Sequence, residues 1–497
     1  METGALFLGL LAAALAGTAA GLAAGLIPGI HVNTLALLLV AGAAPLLAQG
    51  VDALHLAIVL IASTGAQAVS SGVPAAFLGA PDPEATASAL PGHRLLHEGR
   101  GVEAADLHAT GVLAGLAVSL ALALPMKMLI APHLALIQDA LPYLLLAVIL
   151  ALLLSEGRRI PYRRAFLAHQ AWHGTGGLTG TVEAVEGGTV LLRMGPHRLR
   201  ALHAARLLED AKPGDTVSVQ GEWLLEPGPW SRALGIIVAT GVFLLAGLLG
   251  LWGTRIPLES PTGFPPSALF PLLTGLFAFP SLLTALTPTA ATPREQVTAP
   301  ATEKGRDVTA AGAWGGLFGS LAGFVPGTSS AHAGIAALAF HRDGRPERTL
   351  LVLGAATGAT VGFALVTFAA WGRARNGALV AARALTPLPE WTGFAPPAFI
   401  IGAAGALLLA GGLGYFASLA AARGLARASA LIPERALSLA VLALLLGLVV
   451  AATGARGMLL AGAATAVGFL PILHGVRRSH LMGVILMPVT LWVWGLA

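Results

Sequence analysis

The sequence predicts an all-α polytopic membrane protein with an inverted-topology repeat. Two re-entrant helical hairpins and about ten crossings make up the membrane part, and a small OB-like β-barrel is inserted on the cytoplasmic side. Three observations lead there. Apolar runs near the ~20 residues that span a bilayer recur along the chain, which is 56% hydrophobic and only 11% charged, with a mean hydropathy of +0.79. One broken-helix motif occurs twice, 298 residues apart, as Gly21-Leu-Ala-Ala-Gly25-Leu-Ile-Pro28-Gly29 and Gly319-Ser-Leu-Ala-Gly323-Phe-Val-Pro326-Gly327. Lysine and arginine, finally, concentrate in alternate loops.

Taken in order, the first run covers residues 5–26. Met1-Glu2-Thr3-Gly4 lacks the basic start of a secretory signal, and the run flows directly into Pro28-Gly29, so it is expected to be retained. Runs at 32–48, 54–73, 107–129 and 134–154 complete a first transmembrane repeat, residues 1–160. Residues 161–231 change period. Thr179-Gly-Thr-Val-Glu-Ala-Val, Thr189-Val-Leu-Leu-Arg-Met and Asp215-Thr-Val-Ser-Val-Gln-Gly-Glu-Trp read as short strands, punctuated by Gly187-Gly188 and Pro213-Gly214. Residues 232–497 hold linking helices and the second repeat, with runs at 233–252, 268–286, 313–325, 333–340, 350–371, 395–420, 437–450, 458–473 and 482–494.

The pieces around Pro326-Gly327 are too short to cross separately at about 1.5 Å per residue, so they read as a hairpin that returns to its own side. Symmetry assigns the same shape to the pieces around Pro28-Gly29, although that pair is long enough to cross twice. With the β segment placed inside, 23 loop lysines and arginines lie on the cytoplasmic side and 5 outside. Both termini then lie outside. The first hairpin precedes an outside loop and the second an inside loop, so the two repeats have opposite orientations.

Several functions are disfavoured. The chain has no cysteine and a net charge of +5. Arg193, Arg198, Arg200 and Arg206 of the β segment interleave with Glu183, Glu186, Glu209 and Asp215, without an aromatic platform. That pattern predicts an accessory or docking module and no nucleic-acid partner. With no Gly-x-Ser-x-Gly, His-Glu-x-x-His or P-loop, the chain is not expected to be an enzyme or to use ATP by itself.

A helix break inside a membrane releases backbone groups that lipid cannot satisfy, so it belongs beside a cavity. The half-helix after each break points its first amides at the tip, with partial positive charge. Two facing tips would hold an anion. The candidate substrate residues are Pro28, Gly29, His31, Asn33 and Thr34 in the first copy. Pro326, Gly327, Thr328, Ser329, Ser330 and His332 are those of the second. Asn33, Thr34, Thr328 and Ser329 also read as plain helix caps. Ser63, Thr64 and Gln67, with Thr357 and Thr360, either continue a pathway or bond between helices. No metal site is expected, because neither carboxylate nor cysteine accompanies the histidines. No cofactor is expected. A coupling proton or sodium ion has no assignable residue, Asp139 being the one carboxylate well within a run and lying near its outer end.

The doubled Gly-x-x-x-Gly-x-x-Pro-Gly motif resembles the TctA family, the large membrane subunit of tripartite tricarboxylate transporters, in its shorter archaeal-type branch. Val73-Pro74-Ala-Ala-Phe-Leu-Gly79-Ala-Pro81-Asp82-Pro83 supports the resemblance, as do Leu90-Pro91-Gly92-His93-Arg94 through Arg100 and Gly468-Phe-Leu-Pro471 through Gly483. It implies a permease that holds carboxylates at its hairpin tips and works with a small membrane subunit and an extracytoplasmic binding protein. The chain departs from the family at Ile30-His31-Val32-Asn33, at Thr328-Ser329-Ser330 and in its inserted β module. The expected function is secondary transport of a small organic anion, a carboxylate, by alternating access. The alternative is translocation of a lipid-linked, polyprenyl-phosphate-like carrier, with Arg94, Arg100, Arg477 or Arg478 at headgroup level. A membrane scaffold acting through the β module is a third class. Expected partners are the anion, the bilayer, the two accessory subunits and a second copy of the chain.

Overall fold

The computed structural model describes residues 2–27, 31–78, 91–92, 94–96, 98–156, 178–186, 189–194, 197–201, 212–219, 223–225, 231–262, 266, 268–286, 296–297, 305–325, 329–340, 345–431, 434–474 and 476–496. Pro28, Gly29, Pro326, Gly327 and Thr328 lie outside these residues, as do the side chains of Thr34 and His332.

The first half holds α1 (Glu2–Leu26), α2 (Val32–Ala41), α3 (Ala43–Ala48), α4 (Ala53–Ser70), α5 (Gly72–Leu78), α6 (Gly101–Ala121), α7 (Ala123–Ile130) and α8 (Leu134–Ser155). After the strands come α9 (Ser231–Gly253), α10 (Leu269–Leu273), a π turn (Thr274–Ala278) and α11 (Phe279–Ala285). The second half holds α12 (Gly305–Phe324), α13 (Ser330–Phe340), α14 (Pro346–Trp371), α15 (Gly377–Leu385), α16 (Ala398–Leu431), α17 (Glu434–His474) and α18 (Gly483–Val493). Among the described residues, seven helices are long and apolar enough to cross a membrane: Phe7–Leu26, Ala53–Phe77, Gly101–Ala121, Ala233–Gly253, Pro346–Trp371, Ala398–Ala428 and Ser438–His474. Other apolar runs are divided into shorter helices, such as Ala123–Ile137 and Leu145–Leu154.

The last long span is two helices meeting at Gly454, whose φ of 65° and ψ of −164° no helical residue adopts. This break falls where the sequence separates two runs. It packs against the loop after α9: Arg456 Nη1 donates to Pro257 O at 3.0 Å, and the hydroxyls of Ser260 and Thr262 donate to Ala451 O.

Helix packing repeats in register. A Cβ on Gly17 would strike Val59 O, and one on Gly21 would strike Ser63 O, both in α4. Gly315 and Gly319 of α12 meet Val352 O and Ala356 O of α14 in the same way. The glycines are 298 residues apart and their partners 293, so α1 on α4 and α12 on α14 are the same contact made twice. Such backbone-to-backbone approach suits membrane helices, which pack by van der Waals contact on small residues. It puts α4 and α14 at the centre: 94% of each span is buried, against 33% for the spans in α1 and α9. α6 joins them through a reciprocal crossing, with Gly111 and Gly115 against Leu351 O and Ala355 O, and Gly354 and Gly358 against His108 O and Val112 O. A second packed group forms around Phe243, Leu272, Leu276, Leu460 and Val484, from α9, α10, the π turn, α17 and α18.

The inserted segment forms β1 (Leu178–Glu186), β2 (Thr189–Met194), β3 (His197–Ala201), β4 (Thr216–Val219) and β5 (Trp223–Leu225). They make one antiparallel sheet in the order β4-β1-β2-β3-β5. β1, β2 and the β4 region were legible as alternating runs; β3 was not, because Arg198 and Arg200 mask its period. Gly214 takes φ 101° in the turn before β4, as Pro213-Gly214 suggests.

Leucine at Gly21 or Gly319 would collide with partner backbone. Either variant is expected to lose about 1–3 kcal/mol or more by overpacking and to unfold at lower temperature in detergent. Leucine at Gly402, where a Cβ meets nothing within 4 Å, should leave the unfolding temperature unchanged.

Candidate functional site

The half-helix α2 begins with its amides already held by protein. His31 is its N-cap, and its Nδ1 accepts from Asn33 N at 3.1 Å. Gln67 reaches across from α4, and its Oε1 accepts from Val32 N at 3.0 Å. Each unpaired amide would be costly away from water, so these two side chains make the break tolerable in a membrane. His31 acts as an acceptor here, which places its proton, when neutral, on Nε2. Asn33, expected as a substrate donor, turns its Oδ1 to Gly377 N at 2.8 Å. Its amide NH2 remains the group able to donate.

The second tip shows the same economy. Ser330 opens α13 and is buried, and Ala333 N donates to Ser329 O at 3.2 Å. On the arm before the break, Thr360 donates to Gly319 O and Thr367 to Gly323 O, both at 3.2 Å. Val325, the last described residue before Pro326-Gly327, gives its carbonyl to Arg375 Nη1. In the 293-residue register Gln67 and Thr360 are counterparts, and each ties a central helix to a broken one.

The five expected pathway residues lie in the two central helices and are buried. Their hydroxyls are bonded to backbone: Ser63 to Leu60 O and Thr64 to Ile61 O at 2.7 Å, Thr357 to Leu353 O at 3.1 Å, and Thr360 to Ala356 O at 2.8 Å. Gln67 and Thr360 also bond between helices, the second of the two roles open to them in the sequence.

One segment touches residues beside both breaks. α14 ends at Gly372, whose φ of 63° turns the chain back over the bundle. Arg375 then reaches the carbonyl of Val325, and two residues later Gly377 N meets Asn33, while Asn376 caps α15 by accepting from Leu379 N at 2.9 Å. Two extended residues span at most about 7 Å, so this link brings the two breaks into one neighbourhood. It also brings a guanidinium, that of Arg375, beside the second break. The punctuation Gly372, Asn376-Gly377 was the available signal for a fold-back. A cavity opens beside the link, lined by residues that include Phe368, Gly372, Arg383, Thr386 and Glu390.

Asp106 is a buried carboxylate that the hydropathy runs leave out. The apolar run starts at Leu107, but the helix starts at Gly101, so this carboxylate sits inside a membrane-length helix and is 5% exposed. Tyr415 Oη donates to its Oδ1 at 2.7 Å.

No curated protein and no solved structure matches the chain. A family does: the profile described as "Tripartite tricarboxylate transporter TctA family" matches residues 11–191 and 229–483, leaving out part of the β module. Both Pro-Gly motifs and the side chains that bond the backbone beside them fall within that match. The chain therefore belongs to the tripartite tricarboxylate transporter TctA family and is a multi-pass membrane transporter of tricarboxylate type.

Proposed function

We propose that the protein is a secondary transporter that carries a small organic anion, a carboxylate, by alternating access, with the substrate held between the two broken-helix tips. The observation that carries this reading is the 375–377 link, which bonds Val325 at one break and Asn33 at the other. Arg375 supplies the positive charge and Asn33, Thr34, Thr328, Ser329 and Ser330 the polar contacts. A guanidinium has five N–H donors in a planar fork, a geometry suited to bonding a backbone carbonyl and a carboxylate together. Pro28-Gly29 and Pro326-Gly327 form the tips; His31 caps the half-helix behind the first, and His332 lies in the first turn of the half-helix behind the second.

The repeats face opposite ways in this reading. The matched glycine registers support the repeat, and the charge bias supports its inversion, with both termini outside and the β module in the cytoplasm. The β module closes as a small OB-like barrel and docks a partner; its first three strands run in sequence, with the later two on either side. Family membership supports a small membrane subunit and an extracytoplasmic binding protein as partners. The lipid-phosphate alternative is less well supported. Arg94 pairs with Glu98, Arg100 with Glu103 and Glu347, and Arg478 bonds Ser281 and Phe277 O.

Uptake of labelled citrate, succinate and other carboxylates into proteoliposomes tests the proposal. Asn33→Ala combined with Thr328→Ala should abolish uptake in a protein that still inserts and folds, and unchanged kinetics would sink the tip assignment. Arg375→Ala should raise KM for the carboxylate about tenfold to a hundredfold, the loss of one charge-assisted contact. Arg375→Lys should recover part of it; a change in maximal rate alone would remove Arg375 from the substrate.

A further inference from the structure

We propose that the cavity beside the 372–377 link is a second substrate site, which takes small carboxylates with a hydrogen-bond donor on the neighbouring carbon. The inference rests on the reading of the chain as a carboxylate transporter. It extends that reading to a place outside the tips and to a subclass of substrate, the α-hydroxy and α-amino acids.

The cavity holds about 340 Å³, within the ~300–1,000 Å³ of ordinary ligand pockets. Phe368, Leu385 and Leu388 give it an apolar wall, and Arg383, Thr386 and Glu390 its polar groups. Two sides are anchored. Arg383 Nη1 donates to Gly372 O, and Trp391 N donates to Ala369 O at 2.7 Å. Trp391 is 3% exposed, and Lys127 Nζ of α7 stands 4.6 Å from its ring centroid while donating to Gly393 O at 2.6 Å. Pro387 and Pro389 stiffen the segment between those anchors.

The charges select the ligand. A Cβ built on Gly372 would stand 3.1 Å from Arg383 Nη1 and 3.7 Å from Glu390 Oε1, so the two groups lie within about 7 Å of each other. They do not pair: among the described residues Arg383 bonds only Gly372 O, and Glu390 makes neither an ion pair nor a hydrogen bond. A gap of that width fits two hydrogen bonds of about 2.8 Å with a small group between them. The Arg383 guanidinium is a planar fork that suits a carboxylate. Glu390 only accepts, so it favours a donor beside the ligand's carboxylate and repels a second carboxylate there. A hydroxyl or ammonium on the neighbouring carbon meets both demands.

Position joins the cavity to the transport machinery. Gly372 opens the link and α15 follows it, so both ends of the segment that bonds Val325 and Asn33 border the cavity. Arg383 and Glu390 are exposed, and a solute reaches them from water.

Malate, aspartate and succinate share one four-carbon dicarboxylate skeleton and differ at a single carbon, which makes them the probes. Equilibrium dialysis of the labelled acids against the purified full chain in detergent should find two malate sites per chain. Arg383→Ala should remove one of them, and Arg375→Ala should spare that one and weaken the other. Succinate should bind the Arg383 site about tenfold more weakly than malate, the loss of one charge-assisted hydrogen bond. Aspartate tighter than malate there assigns the preferred donor as ammonium, and the reverse as hydroxyl. Glu390→Ala should weaken malate and strengthen succinate, a crossing of affinities that a damaged fold does not produce. Equal affinity of all three acids at the Arg383 site would overturn the proposal, as would an Arg383→Ala protein with both sites intact. Should Arg383→Ala fail to fold, an undiminished preference for malate in Glu390→Ala overturns it alone. Malate held only at a site that Arg375→Ala weakens also overturns it and leaves the tip assignment standing. A single site lost in Arg383→Ala and kept in Arg375→Ala upholds the cavity and defeats the tip assignment, a distinguishable result.

Discussion

Everything in the membrane part depends on two helix pairs whose backbones touch. Lipid offers no hydrophobic drive to hold helices together, so they associate where small side chains let main chains approach. Gly17 and Gly21 do this for α1 on α4, and Gly315 and Gly319 for α12 on α14. Because the glycines sit on the turns leading to each Pro-Gly break, the same contact sets where each break lies relative to the central helix. Gln67 and Thr360, Thr367 then fall opposite the backbone groups that they hold. Packing and polar satisfaction are one design here, repeated.

The breaks impose the second constraint. Backbone freed from a helix must find partners within the protein, and the side chains that supply them reduce the number of donors left for a ligand. His31, Gln67 and Asn33 are occupied in this way at the first tip. That moves attention from backbone amides to side chains. Arg375 matters for the same reason. It is a fixed charge at the breaks, where helix termini supply only partial charges.

Some residues were legible without coordinates. The paired motifs, the 298-residue offset, the helix break near Arg456 and the strands at 178–186 and 189–194 all have local causes: glycine spacing, proline, period-two alternation. The placements of Asp106 and Arg375 were not legible. A hydropathy run begins where charge stops, so it clipped Asp106 from a helix that starts five residues earlier. Arg375 looked like loop charge because nothing in its neighbourhood tells which way the chain turns after Gly372. Ser63, Thr64 and Thr357 were legible as polar residues on central helices, but their bonds to their own backbone depend on rotamers, which sequence does not carry.

By itself the sequence determined the class of the protein, the recurrence of one motif and the family, because each follows from composition, periodicity and motif. Tertiary structure alone decided which helices are central, that one link joins residues beside both breaks, and that α6 and α16 both meet the turn of α4 that holds the start of α2. Those facts come from contacts between residues such as Asn33 and Gly377, or Asp106 and Tyr415, which lie more than 300 positions apart. No local pattern encodes them; only the close approach of glycine-faced helices brings them together.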